Sequence, residues 1–147
     1  MNAPIDVLIV GAGPAGLATA IRLKQQLTAA SSDASVVVID KSPRPGYHCL
    51  SGAAFEPEVL DQLVEGWRDD RRFMEHVVPV ERDDMYFLLG DRAIRVPPLA
   101  VPKGMDHHGD VTISLSRLVG FLADKAEKAG VELYQGFSGR TLLVEDE

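Results

Sequence analysis

The chain has 147 residues, of which 46% are hydrophobic and 25% charged, and its formal net charge is −7. This length allows one substantial hydrophobic core, and the composition excludes a disordered chain and a bundle of membrane spans. The acidic balance and the scattered positive residues argue against a nucleic-acid partner. The single cysteine, Cys49, excludes an internal disulfide and the full ligand set of an iron–sulfur cluster or structural zinc site.

The first residues show no targeting signal. Residues 1–4 lead directly into a predicted strand, without the charged region, apolar stretch and cleavage site of a targeting peptide. No uncharged apolar run approaches the roughly 20 residues that span a bilayer. We therefore expect a chain without a targeting peptide, whose membrane contact, if any, is peripheral.

The first forty residues predict a β-α-β unit. Residues 6–10 are an apolar run typical of a buried parallel strand. Pro14 stands where a helix begins, a position at which its missing N–H costs nothing, and strong helix formers continue to Leu23. Residues 36–40 predict a second buried strand.

The remaining elements alternate between loops, helices and short strands. Residues 41–52 predict an ordered loop because prolines and glycines interrupt them. Helical periodicity predicts one helix from Pro57 through Trp67 and another from about residue 115 to a stop at Gly130. Strands are predicted at residues 85–89 and 93–96 around a Gly90-Asp91 turn, and at 111–114, 131–134 and 141–144, with a proline-rich apolar loop at 97–109.

The glycines after the first strand carry the functional signal. Gly11, Gly13 and Gly16 form a G-x-G-x-x-G between a strand and a helix, and Asp40 ends the next strand. This context is that of a dinucleotide fingerprint, in which the glycines allow a tight turn, approach of the pyrophosphate and close helix packing. The helix N-terminus favours phosphate, and the acid accepts hydrogen bonds from a ribose. The predicted site therefore contains Gly11, Gly13, Pro14, Ala15, Gly16 and Asp40.

The fingerprint does not choose between NAD and FAD. Lys41 and Arg44 offer positive charge, but Asp40 would repel a 2′-phosphate, so NADP is the least favoured. The long loop after the second strand favours FAD, because its small residues allow the backbone to run along an extended flavin; the alternative is a surface loop with incidental glycines. The loop residues assigned to the cofactor site are Lys41, Gly46, His48, Ser51 and Gly52.

The same stretches resemble the electron transfer flavoprotein–ubiquinone oxidoreductase family. The resemblance rests on residues 9–17 (IVGAGPAGL), 46–52 (GYHCLSG) and 130–137 (GVELYQGF), with further matches in the family's order over nearly the whole chain. The string from His48 to Ala53 is more specific than the glycine fingerprint. It favours this family over the related geranylgeranyl-reductase group.

The resemblance implies an α/β glutathione-reductase-like flavoprotein fold with a Rossmann-type βαβ unit that holds FAD. It implies a flavin-dependent oxidoreductase that passes electrons from reduced electron transfer flavoprotein to ubiquinone in the respiratory chain. A four-iron, four-sulfur cluster would lie in a C-terminal region that this sequence lacks. For a bacterial-type chain, the resemblance also implies monotopic contact with the inner membrane on its cytoplasmic side.

The departures from the family predict a truncated chain that is inactive alone. Residues 1–75 and 110–147 are expected to form an incomplete FAD-binding domain. Residues 76–109 are expected to be inserted strands and an apolar loop that begin an antiparallel substrate or quinone subdomain. Two alternatives stay open: a NAD-binding Rossmann dehydrogenase fragment, and a non-catalytic remnant of a geranylgeranyl-reductase-like flavoprotein.

No residue is assigned to catalysis, since the flavin itself carries the redox chemistry in such enzymes. No metal site is assigned either, because His107 and His108 lack further ligands at fixed spacing and fit a polar turn. Residues 94–105 are interpreted either as an apolar surface that meets lipid or the quinone tail, or as a loop packed on its own core.

Overall fold

The computed structural model describes residues 4–144. Its helices and strands are, in chain order, β1 (Val7–Val10), α1 (Pro14–Ala29), β2 (Val36–Asp40), β3 (Gly52–Phe55), α2 (Pro57–Leu63), α3 (Arg71–Met74), β4 (Val78–Pro79), β5 (Tyr86–Leu89), β6 (Arg92–Arg95), β7 (Val111–Ser114), α4 (Leu115–Lys128) and β8 (Glu132–Gln135). The chain divides into two compact units, one of Met1–Gly52 with Ser114–Glu147 and one of Ala53–Ile113.

The first unit contains a parallel sheet of order β1-β2-β8. The β-branched run of β2 forms its buried centre, and α1 and α4 pack against the strands and against each other. Leu17 of α1 and Val119 of α4 are both 0% exposed. Each buried side chain of this size contributes roughly 1.5–3 kcal/mol relative to exposure. The predicted β-α-β unit is therefore confirmed, with α1 beginning at Pro14.

Glycine ends the second long helix, as predicted. Gly130 has φ +87, the left-handed conformation that terminates a helix at low cost for glycine. Val131 N donates to Ala126 O at 3.0 Å and closes the last turn. The chain then enters β8, which pairs in parallel with β2.

The second unit contains antiparallel pairs. One sheet has the order β3-β7-β4, and β5 and β6 form a separate hairpin with Gly90 at φ +56 in its turn. Trp67 and Phe73 are buried, and their rings meet edge to face at 5.9 Å. Trp67 Nε1 donates to Asp61 Oδ1 at 2.7 Å, which satisfies the indole N–H.

Two predicted features are wrong, and two strands were not predicted. Residues 141–144 form no strand in the described chain, since Leu142 and Leu143 are 90% and 91% exposed and a strand needs a neighbour. The helix from Pro57 ends at Leu63, because Gly66 adopts φ +68, and Trp67 starts a 3₁₀ turn. Strands β3 and β4 were not predicted; they are too short to show a period.

The boundary of the second unit also differs from the predicted insertion of residues 76–109. The compact unit starts at Ala53 and includes α2 and α3, because the small core around Trp67 and Phe73 belongs to it. The assignment of either unit to flavin or quinone stays a prediction.

Candidate dinucleotide-binding site

The glycine loop between β1 and α1 has the geometry that its sequence predicts. Gly11 has φ +111, and its N–H donates to Ile39 O at 2.8 Å, which ties the turn to β2. A Cβ on Gly16 would lie 1.9 Å from Gly11 O, so only glycine lets α1 approach the loop this closely. A Cβ on Gly13 would meet nothing within 4 Å. The tight turn and the close helix packing are therefore confirmed, and the open side of Gly13 leaves room for a ligand.

The first turn of α1 faces this open side without a side-chain cap. Gly13 is the N-cap residue, Pro14 follows, and no acidic residue lies in the first turn. The first amides of a helix have no intrahelical partner, and together with the helix dipole they favour an anion. The donor chemistry therefore fits the pyrophosphate of a dinucleotide.

The carboxylate of Asp40 lies directly beside the loop. Its Oδ2 accepts from Ala12 N at 2.7 Å, and its Oδ1 accepts from both the amide of Ser42, at 2.7 Å, and the Ser42 hydroxyl. Burial raises the pKa of Asp40, but the hydrogen bonds from Ser42 and Ala12 and the charge of His48 outweigh burial, so the pKa lies below its ordinary value. Asp40 is therefore an ionised acceptor at neutral pH.

A depression of about 210 Å³ opens at this corner of the first unit. It is bounded by the ends of β1 and β2 and by the segment after β8, through Val10, Gly11, Ile39, Asp40, Lys41, Phe137, Ser138 and Gly139. Phe137 N donates to Asp40 O at 2.9 Å, which holds that segment across the ends of the strands. The volume is below the range of whole-ligand pockets and suits a nucleoside portion of a dinucleotide.

Sequence reasoning missed two parts of this corner. Ser42 is 4% exposed and bonds the acid, which an Asp-x-Ser pattern after a strand could have signalled, since Asp side chains commonly accept from the amide two residues on. Residues 137–139 carried no signal of their own. They reach the site only because β8 pairs beside β2.

The predicted loop residues are only partly brought together. Lys41 lines the depression with Asp40. His48 is exposed, close enough to Asp40 for its charge to lower the pKa of that carboxyl. Ser51 O accepts from Leu115 N at 3.1 Å, and Gly52 begins β3. Within the described residues, no hydrogen bond joins Ser51 or Gly52 to the glycine loop, and their cofactor contact stays a prediction.

Gly46 makes a close backbone contact that the sequence did not predict, while its contact with the flavin stays a prediction. It has φ +74, and a Cβ there would lie 2.6 Å from Ser116 O and 2.9 Å from Ser116 Cα. The close backbone approach that this glycine permits is therefore to the first turn of α4. Beside it is a polar cavity of about 410 Å³, lined by Arg44, Pro45, Gly46, Tyr47, Cys49, Ser116 and Arg117.

The two neighbouring histidines of the second unit each pair with one carboxylate. His107 Nδ1 lies 2.8 Å from Asp110 Oδ2, and His108 Nδ1 lies 2.6 Å from Asp106 Oδ1. Residues 4–144 contain no group of three His, Cys, Asp or Glu side chains that could hold a metal ion. No helix in that same range is long and apolar enough to cross a membrane.

The parallel sheet and the glycine loop together are those of a Rossmann-like FAD/NAD-binding fold. The family model described as "NAD(P)-binding Rossmann-like domain" matches residues 9–75. The solved structure of FqzB covers 95% of this chain and 30% of its own length, with a TM-score of 0.67 and 20% identity. A structure of 2-methyl-3-hydroxypyridine-5-carboxylic acid oxygenase covers 90% and 31%, with a TM-score of 0.58 and 20% identity. The predicted α/β Rossmann-type flavoprotein fold is confirmed.

The sequence relatives are more specific. The chain is 45% identical over 139 residues to a probable electron transfer flavoprotein–ubiquinone oxidoreductase, mitochondrial, of Schizosaccharomyces pombe, and 44% identical over 142 residues to the electron transfer flavoprotein–ubiquinone oxidoreductase of Pseudomonas aeruginosa. These alignments cover 95% and 96% of this chain but only 21% and 25% of the relatives. The predicted resemblance is confirmed, and these relatives are oxidoreductases.

Proposed function

We propose that this chain is the FAD-binding portion of an oxidoreductase that passes electrons from reduced electron transfer flavoprotein to ubiquinone in the respiratory chain. One observation carries the proposal: Asp40 is tied to Ala12, so an ionised acceptor stands beside an open glycine loop at the N-terminus of a helix. The names of the relatives supply the two electron partners.

The residues of this chain would bind and orient the cofactor. The first turn of α1 and the backbone at Gly13 would hold the pyrophosphate, and Asp40 would accept from the adenosine ribose. Residues 137–139 would form one side of the adenosine site, and Lys41 would line its opening. The loop with Gly46, His48, Ser51 and Gly52 would follow the flavin end. When bound, FAD supplies the electron-accepting and electron-donating chemistry.

FAD is preferred over the two nicotinamide cofactors. The description of the matching family model allows NAD(P), but the relatives are named for flavoprotein and ubiquinone partners. The ionised Asp40 opposes a 2′-phosphate, which disfavours NADP. No residue of this chain is proposed to hold an iron–sulfur cluster, since four thiolates are needed and the sequence has one cysteine.

We further propose a peripheral place on the cytoplasmic side of the inner membrane. The support comes from the second unit, where the β5–β6 hairpin exposes Phe87 by 65% and Leu88 by 74%, and where Leu99 in the following loop is 102% exposed. Several large apolar side chains exposed within one short stretch of chain favour a lipid or partner contact over a solvated surface. The predicted apolar loop of residues 94–105 begins inside β6, and its Ile94 and Met105 are 54% and 53% exposed.

The proposal is tested by titrating the purified chain with FAD, followed by flavin absorbance and fluorescence, and separately with NAD, followed by isothermal titration calorimetry. We expect saturable FAD binding and NAD binding that is at least tenfold weaker. Tighter binding of NAD would favour a dehydrogenase. Saturable binding of neither cofactor, by a chain whose circular dichroism shows it folded, would indicate a non-catalytic remnant and overturn the proposal.

A further inference from the structure

Ser42 is the residue outside the predicted site that the structure connects most closely to it. It is 4% exposed, and both its amide and its hydroxyl donate to Asp40 Oδ1. We propose that Ser42 is a positioning residue, which holds the Asp40 carboxylate in the single orientation that leaves one acceptor site open for the cofactor ribose. This inference rests on the proposed dinucleotide function and names a determinant of its ribose recognition.

The hydrogen bonds of the carboxylate define that orientation. A carboxylate has about four lone-pair sites, two on each oxygen. Ser42 occupies both sites on Oδ1, and the amide of Ala12 occupies one on Oδ2, at 2.7 Å. The remaining site on Oδ2 is therefore the one that Asp40 can offer to a ribose hydroxyl. Rotation of the carboxylate would break all three bonds together.

Ser42 can act this way because its own backbone is fixed. Its carbonyl oxygen accepts from Gly136 N at 3.0 Å, while Asp40 O accepts from Phe137 N at 2.9 Å. The segment that follows β8 thus clamps the backbone on both sides of Lys41. The hydroxyl also lies 3.1 Å from Arg44 O, but it has one proton, and an ionised carboxylate is the stronger acceptor.

The hydroxyl is needed because the amide of Ser42 holds Oδ1 by one bond only. Removal of the hydroxyl would leave Oδ1 with that amide as its remaining donor from Ser42. The carboxylate could then rotate at the cost of two hydrogen bonds instead of three, and the orientation of Oδ2 would be held less firmly. We therefore expect Ser42→Ala to leave the fold intact, since it removes one oxygen, but to weaken ribose recognition.

The chain offers a matched control at the opposite end of the same two strands. The carboxylate of Asp6 accepts from the amide of Ser35 and from its hydroxyl, each at 2.8 Å. This Asp–Ser pair repeats the local chemistry of Asp40 and Ser42 away from the glycine loop. Ser35→Ala therefore removes the corresponding hydroxyl bond, together with the bond that Asp6 N donates to Ser35 Oγ at 2.9 Å, without touching the proposed site.

The experiment measures the affinity of the full chain for FAD directly, and for ADP and 2′,3′-dideoxy-ADP by displacement of FAD. For Ser42→Ala we expect FAD and ADP to bind about three- to tenfold more weakly, that is about 0.7–1.4 kcal/mol. Affinity for dideoxy-ADP, which has no ribose hydroxyls, should stay within twofold of wild type. Ser42→Thr, which keeps the hydroxyl, should restore ADP binding, and Ser35→Ala should have no effect.

A double-mutant cycle separates positioning from packing. On an Asp40→Ala background, Ser42→Ala should have no further effect on ADP affinity, because the group it acts through is gone. The positioning role of Ser42 would be rejected if Ser42→Ala weakened ADP and dideoxy-ADP binding equally. It would also be rejected if a folded Ser42→Ala variant bound ADP as tightly as wild type. Neither result would contradict the proposed function. A wild-type chain that binds no FAD would instead overturn the proposed function. If Ser42→Ala does not fold, Ser42→Cys, with its weaker donor, is measured on the same ligands, and an unchanged ADP affinity there counts against the inference.

Discussion

A single carboxylate joins two segments of the chain at the candidate site. Asp40 ends β2, accepts from Ala12 in the glycine loop, and is held by Ser42 in the loop that follows. The acid therefore has a structural task as well as the predicted ribose contact. Its lowered pKa keeps it charged for both, despite the cost of burial.

The open space beside Gly13 predicts that a larger residue there would abolish FAD binding without disturbing the fold. Gly13 has φ −78, and a Cβ there meets nothing within 4 Å, so Gly13→Val should fold normally. The two added methyl groups would occupy the space proposed for the pyrophosphate, and we expect FAD binding to be abolished. Gly104→Val, whose Cβ also meets nothing within 4 Å, is the control in the second unit. Equal flavin content in both folded variants would contradict the site.

The packing of Gly46 on α4 gives a stability prediction. In Gly46→Ala the new Cβ would collide with the Ser116 backbone, and overpacking of this kind costs typically about 1–3 kcal/mol. The control is Gly136→Ala, because Gly136 has a similar φ, +79, but open space around its Cβ. Urea denaturation should show the larger loss for Gly46→Ala. Equal losses would mean that backbone strain, rather than the contact with Ser116, decides the effect.

At the scale of elements, the β5–β6 hairpin tests the membrane proposal. Replacing Phe87 and Leu88 together by serine removes its two most exposed large apolar side chains. We expect the fraction of protein that sediments with anionic phospholipid vesicles to fall at least threefold. Val59→Ser is the control, since Val59 is 57% exposed but lies on α2. Unchanged sedimentation of the double variant would remove the hairpin from the membrane contact.

The turn before β7 should make stability depend on pH. The hydrogen bond with Asp110 raises the pKa of His107, against a smaller opposing effect of desolvation and with help from the charges of Asp83 and Asp106. A raised pKa in the folded state means that the charged pair stabilises the fold at low pH and that this stabilisation is lost as pH rises through the folded-state pKa. Wild type should therefore exceed His107→Gln in stability more at pH 5.5 than at pH 8.5, two values on either side of the ordinary histidine pKa of about 6.5.

Urea titrations of both proteins at the two pH values measure this difference. Asp110→Asn removes the partner and should reduce the pH dependence in the same direction as His107→Gln. A stability difference between wild type and His107→Gln that is the same at both pH values would show that the pair does not respond to protonation.

The whole chain is small beside its relatives, spanning 21% of the one from Schizosaccharomyces pombe and 25% of the one from Pseudomonas aeruginosa. Its parallel sheet has edges at β1 and β8 within the described residues, and Leu8 and Val10 of β1 are 48% and 64% exposed. Such an edge and face favour pairing with further strands or association with another chain.

We therefore expect these 147 residues, reconstituted with FAD, to show no quinone reduction. Electron entry from a partner flavoprotein through an iron–sulfur cluster needs ligands that a single cysteine cannot supply. The assay follows reduction of a soluble quinone analogue under anaerobic conditions, with reduced electron transfer flavoprotein as donor and a heat-treated sample as control. Turnover of even a few per second, typical of a modest enzyme, would show that the chain is sufficient alone.

The sequence by itself determined the β-α-β unit, the glycine loop and the acid at the end of β2. These features follow from short-range rules: the period of apolar residues, the conformational freedom of Gly11 and the position of Pro14. The hairpin at Gly90 and the helix stop at Gly130 were predictable for the same reason. The family resemblance was also readable, because the loop string around His48 is distinctive.

Only the tertiary structure decided which partners these residues meet. Gly46 approaches Ser116, and Ser42 binds Gly136, across long stretches of sequence that no local pattern describes. Residues 137–139 reach the acid because β8 pairs beside β2, and residues 141–144 form no strand because none of the described strands pairs with them. Pairing and close approach depend on which segments become neighbours after folding, so they lie beyond what periodicity and turn chemistry determine.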